Sequence, residues 1–263
     1  MNLRESFRAL HEKSFVMPNP WDRGSTKILS ELGFQALATT SAGFANALGR
    51  PDGAVTRDEA IAHAAEIISA TDLPVSADLE NGFGDGPEDV AQTIRAALDI
   101  GLAGCSIEDY SGDTLYPIEE ATERIRAAVE ANRGSDDLLV LTARAENHIR
   151  GNPDLADTIA RLQAYQEAGA DVLYAPGLKT TDEIRSVTSS VERPVNCLIM
   201  PGGPRVDEIF EAGVARISTG SSISMAAQAA IVEAGRELLD AGSHAFFSNA
   251  LASAGVVAQA MSR

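Results

Sequence analysis

The chain has 263 residues, with 21 Lys and Arg against 38 Asp and Glu, a formal net charge of −17. A polyanion of that size is repelled by nucleic acid and by anionic membrane surfaces, which excludes both as partners. Hydrophobic residues at 44% and charged residues at 22% are ordinary globular usage, so disordered and fibrous classes are excluded as well.

The opening, MNLRESFRALHEKSF, carries charge throughout and has no continuous apolar core, so it does not read as a secretory leader. A first β-type run, SFVMPNPWD, begins near residue 14 and a second, QALATTSAG, near 35. TRDEAIAHAAEIISA follows as a helix, with Thr56 and Glu59 at capping-box spacing. The third run is LPVSADLEN near 73; the helix GPEDVAQTIRAALDIG then opens on Pro87 and stops at Gly101. A fourth run, GCSIEDYSG near 104, precedes the helix PIEEATERIRAAVEAN, which starts at Pro117. LLVLTARAE near 138 is the fifth run, and the helix NPDLADTIARLQAYQEAG after it ends at Gly169. ADVLYAPG near 170, the helix TTDEIRSVTSSV, RPVNCLIMPGG near 193 and VARISTGSS near 214 complete the alternation. Two helical stretches remain, SMAAQAAIVEAGRELLDAG and SHAFFSNALASAGVVAQAM.

Eight strand runs alternating with helices predict an α/β protein, a (β/α)8 TIM-type barrel of parallel strands joined by right-handed crossovers. The runs look almost continuously apolar, as strands buried on both faces do. No linker or composition shift marks a second domain, so residues 1–263 are expected to form one barrel, with 242–263 as an extra terminal helix that caps its own barrel or a partner's. Cys105 and Cys197 lie inside apolar runs without a CxxC, which predicts buried, reduced thiols of a cytoplasmic protein. No apolar stretch reaches the roughly 18 residues of a membrane span.

Barrel chemistry belongs at the C-terminal ends of the strands. The third strand ends Asp78-Leu79-Glu80, the fourth Glu108-Asp109 and the fifth Arg144-Ala145-Glu146. Alternation points Asp78 and Glu80 the same way, and likewise Arg144 and Glu146. Converging carboxylates repel unless a proton or cation lies between them, and an all-oxygen set of Asp78, Glu80 and Glu108 suits Mg2+ or Mn2+. The competing structural reading pairs these acids with Arg144 or uses them as helix caps. Ser41, Ala42 and Gly43 lie just past the second strand, where small residues let backbone amides approach an oxyanion or a carboxylate; the bland alternative is turn chemistry. Asp52 follows Pro51 on a loop. GGP and TGSS occupy the usual phosphate-site position of a barrel, but a simple need for glycine explains them. His11, His63, His148 and His244 are scattered and read as structural, and Trp21 as packing at the rim. Neither a GxSxG elbow nor a GxGxxG or GxxxxGK[ST] loop is present.

With these residues in view, the chain resembles the isocitrate lyase/phosphoenolpyruvate mutase superfamily. The likeness runs from MPNPWD through TTSAGFANALGRPDG, SADLENGFGD, GLAGCSIED, TARAE and PVNCLIMPGGP to ARISTGSS, and SADLENGFGD is similar to the DxDTGYGN magnesium motif. The resemblance implies that Asp78, Glu80 and Glu108 hold Mg2+ directly or through water. It implies further that Ser41, with the amides of Ala42 and Gly43, grips a carboxylate or enolate oxygen, and that Asp52 is the catalytic or metal-shell aspartate. Arg144 would bind the 2-oxo acid carboxylate and Asn196 would stand at the pocket wall. The terminal helix would be swapped between protomers of a homo-oligomer, a dimer of dimers.

Two departures shape the functional expectation. Glu80 stands where the superfamily motif has Asp, and DYSGDTLYPIEEA replaces the cysteine-bearing KKCGH or KRCGH loop of isocitrate and methylisocitrate lyases. The Lys and Asn of the phosphonomutase loop are missing too. The expectation is a Mg2+-dependent carbon–carbon lyase or decarboxylase acting on a small 2-oxo or 2-hydroxy dicarboxylate, as in oxaloacetate decarboxylation or lysis of a substituted malate, with water or Tyr116 protonating the enolate. The alternatives are phosphonopyruvate hydrolase or mutase chemistry, or a degenerate barrel that only binds a carboxylate.

Overall fold

The computed structural model describes residues 2–135 and 137–262. Its eight parallel strands are β1 (Phe15–Met17), β2 (Leu37–Ala38), β3 (Val75–Asp78), β4 (Gly104–Glu108), β5 (Val140–Arg144), β6 (Val172–Tyr174), β7 (Val195–Leu198) and β8 (Arg216–Ser218). They lie in the order β1-β8-β7-β6-β5-β4-β3-β2, so all but one seam of a (β/α)8 barrel is zipped by ladder pairing. The seam falls between β1 and β2 for a local reason. Pro18 and Pro20, just past β1, have no N–H to donate. The Ala38 amide donating to the Pro18 carbonyl at 3.1 Å, and Asn19 Nδ2 donating to the Thr39 carbonyl at 2.9 Å, bridge it instead.

The helices are α1 (Leu3–Leu10), α2 (Arg23–Glu31), α3 (Ser41–Ala47), α4 (Arg57–Ile68), α5 (Pro87–Asp99), α6 (Ile118–Arg133), α7 (Leu155–Ala168), α8 (Thr181–Thr188), α9 (Val206–Glu211), α10 (Ser222–Arg236) and α11 (Phe247–Met261). Their ends follow the local chemistry. The Thr56 side chain caps the start of α4 while the Glu59 carboxylate accepts from the Thr56 amide at 3.0 Å, and Pro87 opens α5. Gly169 ends α7 in a left-handed conformation, φ 107°, which glycine adopts without a Cβ penalty. Among the described residues no helix is long and apolar enough to cross a membrane.

The strands are not apolar on both faces. Cys105 and Ile107, Leu141 and Ala143, and Cys197 with Ile217 pack outward against the helices. Ser76, Ser106, Thr142, Asn196, Arg216 and Ser218 turn into the barrel. Interior polarity is tolerated because the polar groups satisfy one another: Arg216 donates to Asn196 Oδ1 at 2.8 Å and to Thr142 Oγ1 at 3.0 Å. Helix α1 plugs the other end. Phe7, fully buried, meets Phe15 edge to face at 6.3 Å, and Arg4 ties the plug to the Leu102 carbonyl at 2.8 Å. Both cysteines are free and buried.

The terminal helices lie largely outside this core. Ile231 of α10, Leu239 in the turn after it and Leu251 of α11 are 72%, 87% and 71% exposed, whereas the start of α10, through buried Ser224 beside Gly43, and the last turn of α11, through buried Ala260 and with Met261 near Gly24, are seated on the barrel.

Candidate active site

Strand register assembles the site. Glu108 of β4 lies opposite Arg144 of β5, Arg144 opposite Tyr174 of β6, and Tyr174 opposite Asn196 of β7, so the C-terminal mouth presents one continuous charged and polar row. Arg144 is its hub. Its Nε donates to Glu146 Oε1 at 2.5 Å, and one terminal nitrogen stands 3.3 Å from Glu108 Oε2 and 3.8 Å from Asp78 Oδ2. Burial works against charge on this guanidinium, but Glu108 and Glu146 outweigh it and hold the group protonated.

Glu80 reaches the same mouth by a turn. Strand β3 stops at Asp78, and Glu80 takes a positive φ of 48°, with its amide donating to Asp78 Oδ1 at 3.3 Å. The segment beyond is pinned from below: buried Arg124 donates to the carbonyls of Asn81, Gly84 and Asp85, and its guanidinium lies 4.3 Å from the centre of the Tyr116 ring. Above the strand ends opens a cleft of about 850 Å3, with Ser41, Asp52, Glu80, Glu108, Arg144 and Arg150 in its wall. Asp78 faces a smaller cavity of about 50 Å3 directly beneath, which shares Arg144 with the cleft.

The electrostatics of this mouth are unbalanced towards negative. Burial, then Asp78 and Asp52, push the Glu80 carboxyl up to about 7, and Arg144 offsets this only in part. Burial also drives Glu108 well above the usual carboxylate range, Arg144 opposing and Glu146 and Asp78 adding to it. Among the described residues no three His, Cys, Asp or Glu side chains form a ready-made metal cage, since the Arg144 guanidinium stands between Asp78 and Glu108. The donors are nonetheless all oxygen, and they carry negative charge that Arg144 does not neutralise. The residues present therefore fit a hard divalent cation such as Mg2+.

A carboxyl with a folded-state value above its unfolded one stabilises the fold while protonated, and that contribution is lost as pH rises from about 4.5 through about 7. Metal-free protein is accordingly expected to lose thermal midpoint across this window, and E80Q to reduce the slope. Calorimetric scans between pH 4.5 and 8 check this; an identical slope in E80Q removes Glu80 as its source.

Several expected residues take positions the sequence did not indicate. Ser41, Ala42 and Gly43 form the first turn of α3 rather than a loop. The Ser41 amide already points to Asp78 Oδ2 at 3.3 Å, and the Gly43 amide donates to Thr40 Oγ1 at 3.3 Å. Gly43 is buried, and a Cβ there would lie 2.6 Å from Thr40 Cγ2, so its glycine answers to packing. Asn196 is 1% exposed inside the barrel, bonded to Ser218 and Arg216, and lines the small cavity beneath the cleft together with Asp78 and Arg144. Tyr116 donates to Asp85 Oδ1 at 3.1 Å and accepts from Asn81 at 3.2 Å, which makes it a support of the Glu80 turn; Tyr110 is the tyrosine in the cleft wall. Asp52 does line the cleft, near enough for its charge to act on Glu80. The TGSS amides of Thr219 and Gly220 both donate to Asn19 Oδ1 at 2.9 Å, in keeping with a turn. His63 Nε2 donates to the Trp21 carbonyl, 2.9 Å away, and the ring stacks on Phe44.

The sequence named Glu146 and Asp109 at strand ends without giving either a role, and did not single out Arg150. Glu146, fully buried, spans two arginines, with Oε1 on Arg144 and Oε2 accepting from Arg150 Nε at 2.8 Å. Asp109 accepts the Glu146 amide at 2.7 Å and is itself held by Arg161 at 2.9 Å and the Tyr165 hydroxyl at 2.5 Å. The only cue to Glu146 was its two-residue spacing from Arg144; ENHIRG gave none for Arg150.

Residues 7–239 match the family model described as phosphoenolpyruvate phosphomutase. A crystal structure from Burkholderia cenocepacia J2315, described only as a lyase/mutase, is 47% identical, with 97% of this chain and 94% of that one covered and a TM-score of 0.94. The crystal structure of 2,3-dimethylmalate lyase, described as a PEP mutase/isocitrate lyase superfamily member, is 30% identical over 93% of this chain and 90% of that one, TM-score 0.83. Oxaloacetate acetylhydrolase bound to its product oxalate is 28% identical over 92% and 88%, TM-score 0.84.

Proposed function

The chain belongs to the phosphoenolpyruvate phosphomutase family, within the PEP mutase/isocitrate lyase superfamily, and from that membership we propose that it is a Mg2+-dependent carbon–carbon lyase or decarboxylase for a small 2-oxo or 2-hydroxy dicarboxylate. The observation that carries this reading is the mouth of the barrel, where Arg144 stands among Asp78, Glu108 and Glu146 beneath an open cleft walled by Glu80 and Asp52. Relatives described as acting on dimethylmalate and oxaloacetate support the substrate class.

Asp78, Glu80 and Glu108, with Asp52 at the edge, would hold the cation, which supplies Lewis-acid polarisation of the 2-oxo or 2-hydroxy oxygen. Arg144 binds the carboxylate next to that oxygen through charge-assisted hydrogen bonds. Glu146 keeps the guanidinium plane fixed, so Arg144 needs no reorganisation as negative charge develops on the oxygen while the neighbouring C–C bond breaks. In oxaloacetate the departing group is CO2, no strong base is needed, and water entering the open cleft returns the proton to the enolate carbon. Ser41, in the cleft wall, would add its hydroxyl to the grip on that carboxylate.

The exposed apolar faces of α10 and α11 support a homo-oligomer in which these helices are covered by a second copy, as in a dimer of dimers. The decisive experiment is a screen of oxaloacetate, substituted malates, methylisocitrate and phosphonopyruvate, with and without Mg2+, reading pyruvate release. Pyruvate from an oxo or hydroxy diacid only with Mg2+ is the expected result. Turnover of phosphonopyruvate alone, or of nothing, overturns the reading.

A further inference from the structure

The second arginine of the cleft has a part in neither the fold nor the chemistry described so far. Arg150 follows β5 on the segment leading to α7 and lines the cleft. Its guanidinium lies 4.1 Å from the centre of the Tyr110 ring, and its Nε donates to Glu146 Oε2 at 2.8 Å. Stacking fixes the plane of the group and the Nε bond fixes its rotation. Its two terminal nitrogens make no hydrogen bond among the described residues; one of them faces Glu108 Oε1 at 3.9 Å. Arg57, also in the cleft wall, differs: its terminal nitrogens already serve Gln92 at 3.1 Å and the Phe83 and Asp89 carbonyls at 3.4 Å.

We propose that Arg150 is a specificity-determining residue that clamps the distal carboxylate of a four-carbon dicarboxylate whose first carboxylate is held by Arg144. The inference rests on the reading of the site given above and names what that site selects. Its physical basis is the shared bracket. Glu146 is fully buried and grips both arginines by Nε, one on each carboxylate oxygen, so two guanidinium groups are held close together; one terminal nitrogen of Arg144 faces Glu108 and Asp78, while the Arg150 fork makes no hydrogen bond among the described residues. The bracket is rigid because Asp109, itself held by Arg161 and Tyr165, fixes the Glu146 backbone. A substrate with one carboxylate engages Arg144 only, whereas a diacid engages both, which converts charge spacing into selectivity.

Matched ligands isolate the effect. Malate and lactate share the 2-hydroxy carboxylate and differ in the distal carboxylate; oxalate probes the Arg144 end alone. By calorimetry in Mg2+, the wild-type protein is expected to bind malate ten- to a hundredfold more tightly than lactate, the range of a charge-assisted bidentate pair. R150Q should shrink that ratio to about twofold and leave oxalate affinity within about twofold. In turnover the same variant should raise KM for a diacid far more than it lowers kcat, and R150K, which keeps the charge but loses the fork and the stack, should recover part of the loss. A malate-to-lactate ratio that survives in R150Q overturns the proposal, as does an equal loss of oxalate binding, which would show a collapsed bracket. Failure of the wild-type protein to bind oxalate with Mg2+ at all would instead strike the functional reading beneath it.

Discussion

Replacing Arg144 with alanine should abolish measurable turnover and lower the thermal midpoint together. The guanidinium offsets Glu146 at 2.5 Å, Glu108 at 3.3 Å and Asp78 at 3.8 Å, and both glutamates are almost wholly buried. Removing one partner of a buried ion pair while leaving the other typically costs about 3–5 kcal/mol, on the order of 10 °C in a chain of this size. Part of that cost is recovered by protonation, since burial already favours the neutral form of Glu108. The loss in kcat/KM has a separate origin, the substrate carboxylate left without its cation, and should reach at least about a hundredfold. R144K separates the two. A compact ammonium restores much of the stability but lacks the fork that holds Glu146 and the substrate at once, so its midpoint should recover further than its activity. Wild-type kinetics in R144A would remove this residue from the site.

Asp78→Ala is expected to remove Mg2+-dependent turnover, by about a thousandfold if the cation contributes several kcal/mol to the barrier, while the barrel remains folded. Asp78 also has local work: its two oxygens accept the amides of Ser41 and Glu80, both at 3.3 Å, and so tie the start of α3 to the turn after β3. Alanine loses these bonds as well as the charge. Asp78→Asn removes the charge but keeps one acceptor oxygen for one of the two amides, so it should lose less thermal midpoint than alanine and still lose Mn2+ binding, measured by paramagnetic resonance, together with turnover. Full activity in D78N would refute the assignment of Asp78 to the cation.

How far the residues announced these outcomes differs from element to element. The strands were legible because each is short, apolar on its outward side and bounded by small or polar residues, and the helices because Thr56 with Glu59, Pro87 and Gly169 are local capping chemistry that needs no distant partner. The strand-end acids were legible for the same reason: a barrel places its reactive residues by rule. Alternation along a strand ceased to apply at Glu80, which stands past the end of β3 at positive φ, so its direction is set by the turn that Arg124 holds from another helix.

The sequence alone therefore determined the barrel, its polar mouth and the acids gathered there, since these follow from hydrophobic period, end caps and strand termini, all interactions within a few residues. Only the tertiary structure decided which groups meet: Arg144 among three carboxylates, Glu146 spanning two arginines, Asn196 turned to Arg216 rather than to the cleft, and Tyr116 spent on Asp85. Those contacts join residues from different strands and loops, and the register and closure of the sheet that bring them together depend on all eight strands at once.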